Sequence, residues 1–215
     1  MNTTVVAGWL NSVFAPFDLA ILGALHALAE SAGFLLTPLF EIVSLLGEKG
    51  ACFSAFAVAL MLFKRTRWTG ICLFVAVCLG ALMTNILLKD FIARPRPFAS
   101  SELYADWWRF VGAPAEDGFS FPSGHMTAAS AAMTAWMIVR RSAKATACGL
   151  SIIVAMGMAR CYLVAHYPSD VLAGCLVGAL CAGASWLLIS KAREMLERRR
   201  SAHGSHATAS ARVRR

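Results

Sequence analysis

Five stretches of this chain, residues 46–63, 68–88, 123–139, 146–164 and 168–190, are apolar almost throughout. A bilayer core about 30 Å thick is crossed by a helix of about 20 mostly apolar residues, so each run is long enough, or nearly so, to span a membrane. A soluble domain is typically about 45–50% apolar and about 25% charged. Here the shares are 58% and 15% over 215 residues. A weaker stretch, residues 17–45, is interrupted by His26, Glu30, Pro38 and Glu41 and reads as one span plus an interfacial helix. The expectation is an all-α, polytopic transmembrane helix bundle of about six spans, with five as the alternative. Residues 1–190 form a membrane-embedded domain, and residues 191–215 a basic cytoplasmic tail, partly disordered.

The net charge of +8 falls in clusters between the runs: Lys64, Arg65 and Arg67; Arg140, Arg141 and Lys144; and the tail from Lys191 to Arg215. Basic residues in short loops mark the cytoplasmic side. If every intervening run crosses once, all three clusters face the cytoplasm, and the loop 90–121 and the turn at His166 face outward. No basic stripe interleaved with aromatics suggests nucleic acid. The first basic residue is Lys49, so the N-terminus lacks the charged start of a signal peptide. The seven cysteines have neither zinc nor redox spacing and mostly sit in apolar runs, where a thiol packs as a small hydrophobe. The adjacent Trp107 and Trp108 suit a headgroup-level anchor.

Three polar clusters stand at span ends on the outward side. They are Lys89 with Arg96-Pro97, the run Pro122-Ser123-Gly124-His125 that opens a helix, and Arg160, His166 and Asp170. Lys89, Arg96 and Arg160 bring three cations together and call for an anion. Phosphate suits them, because arginine grips its oxygens bidentately and lysine acts as a point charge. The free N–H groups behind Ser123 and Gly124 add a helix N-terminal anion site. Phosphoester cleavage further requires a nucleophile and a proton donor. His166 can serve as the first, oriented by Asp170 four residues on, and His125 as the second. A single carboxylate in the cluster is too few for a two-metal centre, so neither a metal nor another cofactor is expected.

These segments, in this order, resemble the signatures of the type 2 phosphatidic acid phosphatase family, over roughly residues 88–174. Phe119-Ser120-Phe121 and Tyr167-Pro168-Ser169 extend the likeness, while Ala159 stands where the family often has serine. The resemblance implies a six-span fold and metal-independent hydrolysis of a lipid phosphate at an outward site. It implies that Lys89, Arg96, Ser123, Gly124 and Arg160 bind phosphate, that His166 forms a phosphohistidine, that Asp170 partners it and that His125 is the acid. Undecaprenyl diphosphate is the first expected substrate, with phosphatidate and phosphatidylglycerol phosphate as alternatives. The expected partners are the lipid phosphate and surrounding membrane lipids; oligomeric state is not legible. A vanadate-dependent haloperoxidase and a non-enzymatic phospholipid binder or transporter are the rival readings.

Overall fold

The computed structural model describes residues 4–213, whose regular secondary structure is helical, with no strand among them. Two N-terminal helices, α1 (Val5–Val13) and α2 (Ala15–Leu46), lead through a short 3-10 turn, Glu48–Gly50, into α3 (Ala51–Met61). Next, α4 (Arg67–Ala81) continues through a π-helical stretch, Leu82–Leu88, into α5 (Lys89–Ile92). Two short helices, α6 (Pro97–Ser100) and α7 (Glu102–Val111), are followed by α8 (Gly124–Arg140), α9 (Ala143–Tyr162) and α10 (Pro168–Val213).

The α8 helix is the centre of the bundle, packed by α4, α9 and α10. Most of its buried side chains are small, among them Ala128, Ala129, Ser130, Ala131, Ala132 and Ala135. That composition lets neighbouring backbones approach closely, which is how membrane helices gain contact where lipid is as apolar as the side chains. The approach is tightest against α10. A Cβ at Gly178 would stand 2.5 Å from the Thr127 carbonyl oxygen, and one at Gly174 would stand 2.7 Å from that of Ser123. Outside this core, large apolar residues such as Phe34, Leu62, Phe91, Leu176 and Leu188 are exposed, as lipid-facing residues are.

Among the described residues, four stretches are long and apolar enough to cross a membrane: Ala15–Met61, Arg67–Ser100, Ala143–Tyr162 and Pro168–Arg198. The 17-residue α8 is just below that length. The weak first stretch departs from a simple span. Asp18 near the start of α2 pairs with Arg94, and Ser44 near its end bonds Arg160. Those positions are separated by about 39 Å of ideal helix at ~1.5 Å per residue, yet both partners belong to one contiguous polar cluster. So α2 runs along the polar end of the bundle rather than away from it. It bends at Ala32 (φ −137°, ψ 17°) and carries Pro38 inside, the residue types and geometry that break a straight rod. His26 and Glu30 pair at 3.5 Å, and His26 stacks on Trp107 with ring centroids 4.9 Å apart. The division at residue 190 falls within α10, and the expected basic tail includes Arg214 and Arg215, outside the described residues.

Candidate active site

The three polar clusters meet at one end of the bundle, around a cavity of about 960 Å³ whose walls include Lys89, Arg96, Gly124, His125 and His166. Each is delivered by a helix end. Lys89 follows the π-helical stretch, a local widening common at functional sites. Gly124 and His125 open α8 behind Ser123, whose own side chain does not cap the helix. The first N–H groups of α8 are therefore free of that competitor. Arg160 lies in the last turn of α9, and Asp170 in the first turn of α10.

His166 sits in the tight turn between α9 and α10. Ala165 and His166 both donate their N–H groups to the Arg160 carbonyl, at 3.2 and 3.3 Å. The turn forces Val164 to φ +52°. A β-branched residue in the left-handed region is strained, which is a frequent companion of functional turns. The ring is fully buried. Its Nδ1 lies 3.9 Å from Asp170 Oδ2, beyond hydrogen-bond length. Ser120 fills the gap: its hydroxyl donates to Asp170 Oδ2 at 2.5 Å and lies 3.3 Å from His166 Nδ1. A serine that has given its proton to the carboxylate can only accept from Nδ1–H, so the ring proton is on Nδ1. That leaves the Nε2 lone pair turned to Arg96 Nη1 at 3.4 Å. Burial, then the positive charges of Arg160 and Arg96, push the His166 pKa well below its usual value. The ring is neutral, which is the nucleophilic form.

Asp170 is held from behind. Arg94 Nη1 donates to its Oδ1 at 2.5 Å, and Tyr167 N–H donates to its Oδ2 at 3.2 Å. Arg94 itself is completely buried. It also donates to Asp18 Oδ2 at 2.9 Å, to Ser169 Oγ at 2.8 Å and to Asn11 Oδ1 at 2.8 Å. Asp18 in turn accepts from Ser169 N–H at 2.8 Å. Arg94 therefore stands behind the site as a brace for its carboxylate.

The cationic cradle is crossed by one carboxylate. Glu116 Oε2 pairs with Arg96 Nη1 at 2.9 Å, while its Oε1 pairs with Arg160 Nη2. Burial alone would raise the Glu116 pKa, but Arg160 and then Arg96 pull it down to about 2. Arg96 further donates to the carbonyls of Asp117 and Gly118, each at 3.1 Å, and to that of Ala165 at 3.0 Å. Arg160 bonds Ser44 Oγ. Arg160 Nε and Ser123 Oγ are buried without a protein partner. Buried polar groups normally have partners, so these two are free to meet the oxygens of an anion in the cavity.

All eight residues singled out from sequence, Lys89, Arg96, Ser123, Gly124, His125, Arg160, His166 and Asp170, thus belong to this one end. Sequence reasoning missed Ser120, Glu116, Asp18 and Ser44 as parts of it. Only Ser120 carried a local signal, its place just before Pro122-Ser123. The others reach the site through contacts between residues far apart in the chain.

The PAP2 superfamily model matches residues 69–194. Lipid A 1-phosphatases of Rhizobium johnstonii and Rhizobium etli are 38% and 37% identical over 117 and 116 residues, 52% of this chain in each case. The matches cover 44% and 46% of those proteins, so the chain spans less than half the length of these relatives. Aquifex aeolicus LpxE superposes with a TM-score of 0.53 at 25% identity, over 71% of this chain and 86% of that one. A Bacillus subtilis protein, the first transmembrane PAP2 type phosphatidylglycerolphosphate phosphatase solved, gives 0.63 at 21% identity, over 87% and 92%, a likeness of fold. The helical architecture, the lipid-facing surface and a family match across most of the bundle converge: this chain is an integral membrane protein and belongs to the PAP2 superfamily.

Proposed function

We propose that the chain is a metal-independent lipid phosphatase that hydrolyses a terminal phosphate on a membrane lipid through a phosphohistidine at His166. The carrying observation is the buried, neutral His166, whose Nε2 faces the Arg96 side of the cradle while Ser120 and Asp170 hold Nδ1. In the first step the Nε2 lone pair attacks phosphorus. The phosphoryl group transfers to the ring, and the leaving oxygen departs with a proton from His125. Water, deprotonated by His125, then attacks the phosphohistidine and releases inorganic phosphate, restoring both rings. Lys89, Arg96, Arg160, Ser123 and the Gly124 N–H stabilise the charge spreading over the phosphoryl oxygens, the main task in phosphoryl transfer. Asp170 stays ionised and holds the imidazole through Ser120.

The metal-independent part rests on the donor set. Asp170 and Glu116 are both engaged by arginines, and no cluster of three or more His, Cys, Asp or Glu among the described residues is arranged to hold a metal. The outward orientation rests on the basic clusters at the opposite end of the bundle.

A lipid A type 1-phosphate, the substrate in the names of the Rhizobium relatives, is the favoured lipid. The cavity beside the cradle has polar walls from Glu41, Glu48, Lys49 and Asn85, which offer hydrogen bonds to the hydroxyls of a sugar phosphate. Undecaprenyl diphosphate presents an equally charged terminal phosphate, and it is the second reading. The test is phosphate release by purified protein from lipid A, undecaprenyl diphosphate, phosphatidate and phosphatidylglycerol phosphate, with and without a chelator. Release from at least one lipid, insensitive to chelator and lost in His166→Ala, is the expected result. Loss of activity with chelator overturns the metal-free mechanism. Binding without release from any lipid favours a binder or transporter.

A further inference from the structure

The Glu116 carboxylate lies where the phosphate of the proposed substrate has to bind. It bridges Arg96 and Arg160, two of the three cradle cations. Its segment is pinned there by the Arg96 bonds to the carbonyls of Asp117 and Gly118. Each nitrogen of Arg96 already donates to a chain atom, so an incoming anion competes with Glu116 for this guanidinium. Beyond the two arginines little else holds the carboxylate. Its side chain is 26% exposed, against 5% for Arg96 and 1% for Arg160, and among the described residues no backbone N–H or hydroxyl holds it.

We infer that Glu116 is a specificity-determining residue, a tethered competitor that admits doubly charged terminal phosphates to the cradle and turns away singly charged phosphodiesters. This rests on the phosphatase reading of the site. A membrane enzyme meets phosphodiester headgroups in vast excess over its substrate, and an open cradle of three cations would hold them. Replacing the Glu116 carboxylate by a phosphodiester exchanges one negative charge for another and gains nothing electrostatically. A phosphomonoester or terminal diphosphate brings a second charge, and its extra oxygens reach Arg160 Nε and Ser123 Oγ, which have no protein partner. Because Glu116 is part of the same chain, it competes at a high effective concentration. It stays ionised down to a pH of about 2, so the filter operates throughout the ordinary range.

The test measures binding rather than turnover. Inorganic phosphate and dimethyl phosphate are titrated calorimetrically into detergent-purified wild type, Glu116→Gln, Glu116→Asp and Glu102→Gln. Glu102→Gln removes the same formal charge from the nearby α7, where Glu102 pairs at the surface with Arg109. In Glu116→Gln, phosphate binding tightens about tenfold and dimethyl phosphate, not bound by wild type, binds measurably. Glu116→Asp, too short to bridge both arginines, falls in between, and Glu102→Gln matches wild type. Unchanged or weaker phosphate binding in folded Glu116→Gln and Glu116→Asp overturns the proposal, as does equal tightening in Glu102→Gln. Failure of wild type and all variants to bind phosphate sinks the cradle itself, and with it the proposed function.

Discussion

At the scale of single residues, the difference between Asp170 touching His166 and reaching it through Ser120 has a kinetic consequence. The 3.9 Å gap means that Asp170 alone cannot fix the ring. Ser120→Ala leaves Nδ1–H without an acceptor and Asp170 without one donor, while leaving the cradle intact. The ring then loses its tautomer and angle, and misplacement of a reacting group by about 1 Å costs on the order of 10²-fold. We expect kcat to fall by about that factor with KM little changed, measured by phosphate release. The pH dependence follows from the depressed His166 pKa. The neutral ring is the active form, and its folded pKa lies well below the usual value, so the acid limb of kcat/KM falls below pH ~6.5, the ordinary histidine value. Unfolded chains take up that proton as pH drops through 6.5 whereas the folded state does not, so stability also declines on acidification. A kcat/KM profile already halved at pH 6.5 by His166 contradicts this. The eight candidate residues were legible because they stand at fixed spacing in three short segments at helix ends, several beside Pro or Gly. Ser120 was quoted only as a flank, because a serine in a loop has many ordinary uses.

At the scale of elements, the sequence placed the helices well, the long first one included, but not what ties that helix to the site, and Asp18 shows why. In the fold it accepts from the Ser169 N–H and Oγ at the start of α10 and pairs with Arg94 from the loop after α5. One side chain thereby ties α2, that loop and α10 together. This partnership has no sequence signature, since Asp18 and Ser169 are 151 positions apart. Both Asp18 and Arg94 are 1% exposed, so neither is screened by solvent. Removing one partner of a buried ion pair typically costs about 3–5 kcal/mol. Asp18→Ala should cost about 3 kcal/mol, toward the low end because Arg94 keeps Asp170. The loss is read as a lower thermal midpoint in detergent, with Asp18→Asn less affected. An unchanged midpoint means that α2 is not clamped to the site in this way.

At the scale of the whole molecule, charge is sorted between the two ends. Lys64 and Arg65 from the loop after α3, Arg140 from the end of α8 and Arg193 from α10 line one shallow cavity. The sequence predicted that these clusters share a side, from counting crossings alone. The residues converge although α2 does not behave as a simple span, because the crossings that matter for this sorting begin at α3. The phosphate cradle is at the other end, with α7 and its acidic residues Glu102 and Asp106 beside it. Basic loops are retained on the cytoplasmic side during insertion, so the proposed orientation puts the cradle on the outer face, with substrate drawn from the outer leaflet. Single cysteines introduced into a background lacking the seven native ones test this with a membrane-impermeant maleimide. Asp106→Cys, exposed on α7, should label in intact cells, and Arg65→Cys should label only after permeabilisation. The reverse pattern would turn the molecule over. The cradle chemistry could then stand, but the substrate would have to come from the inner leaflet.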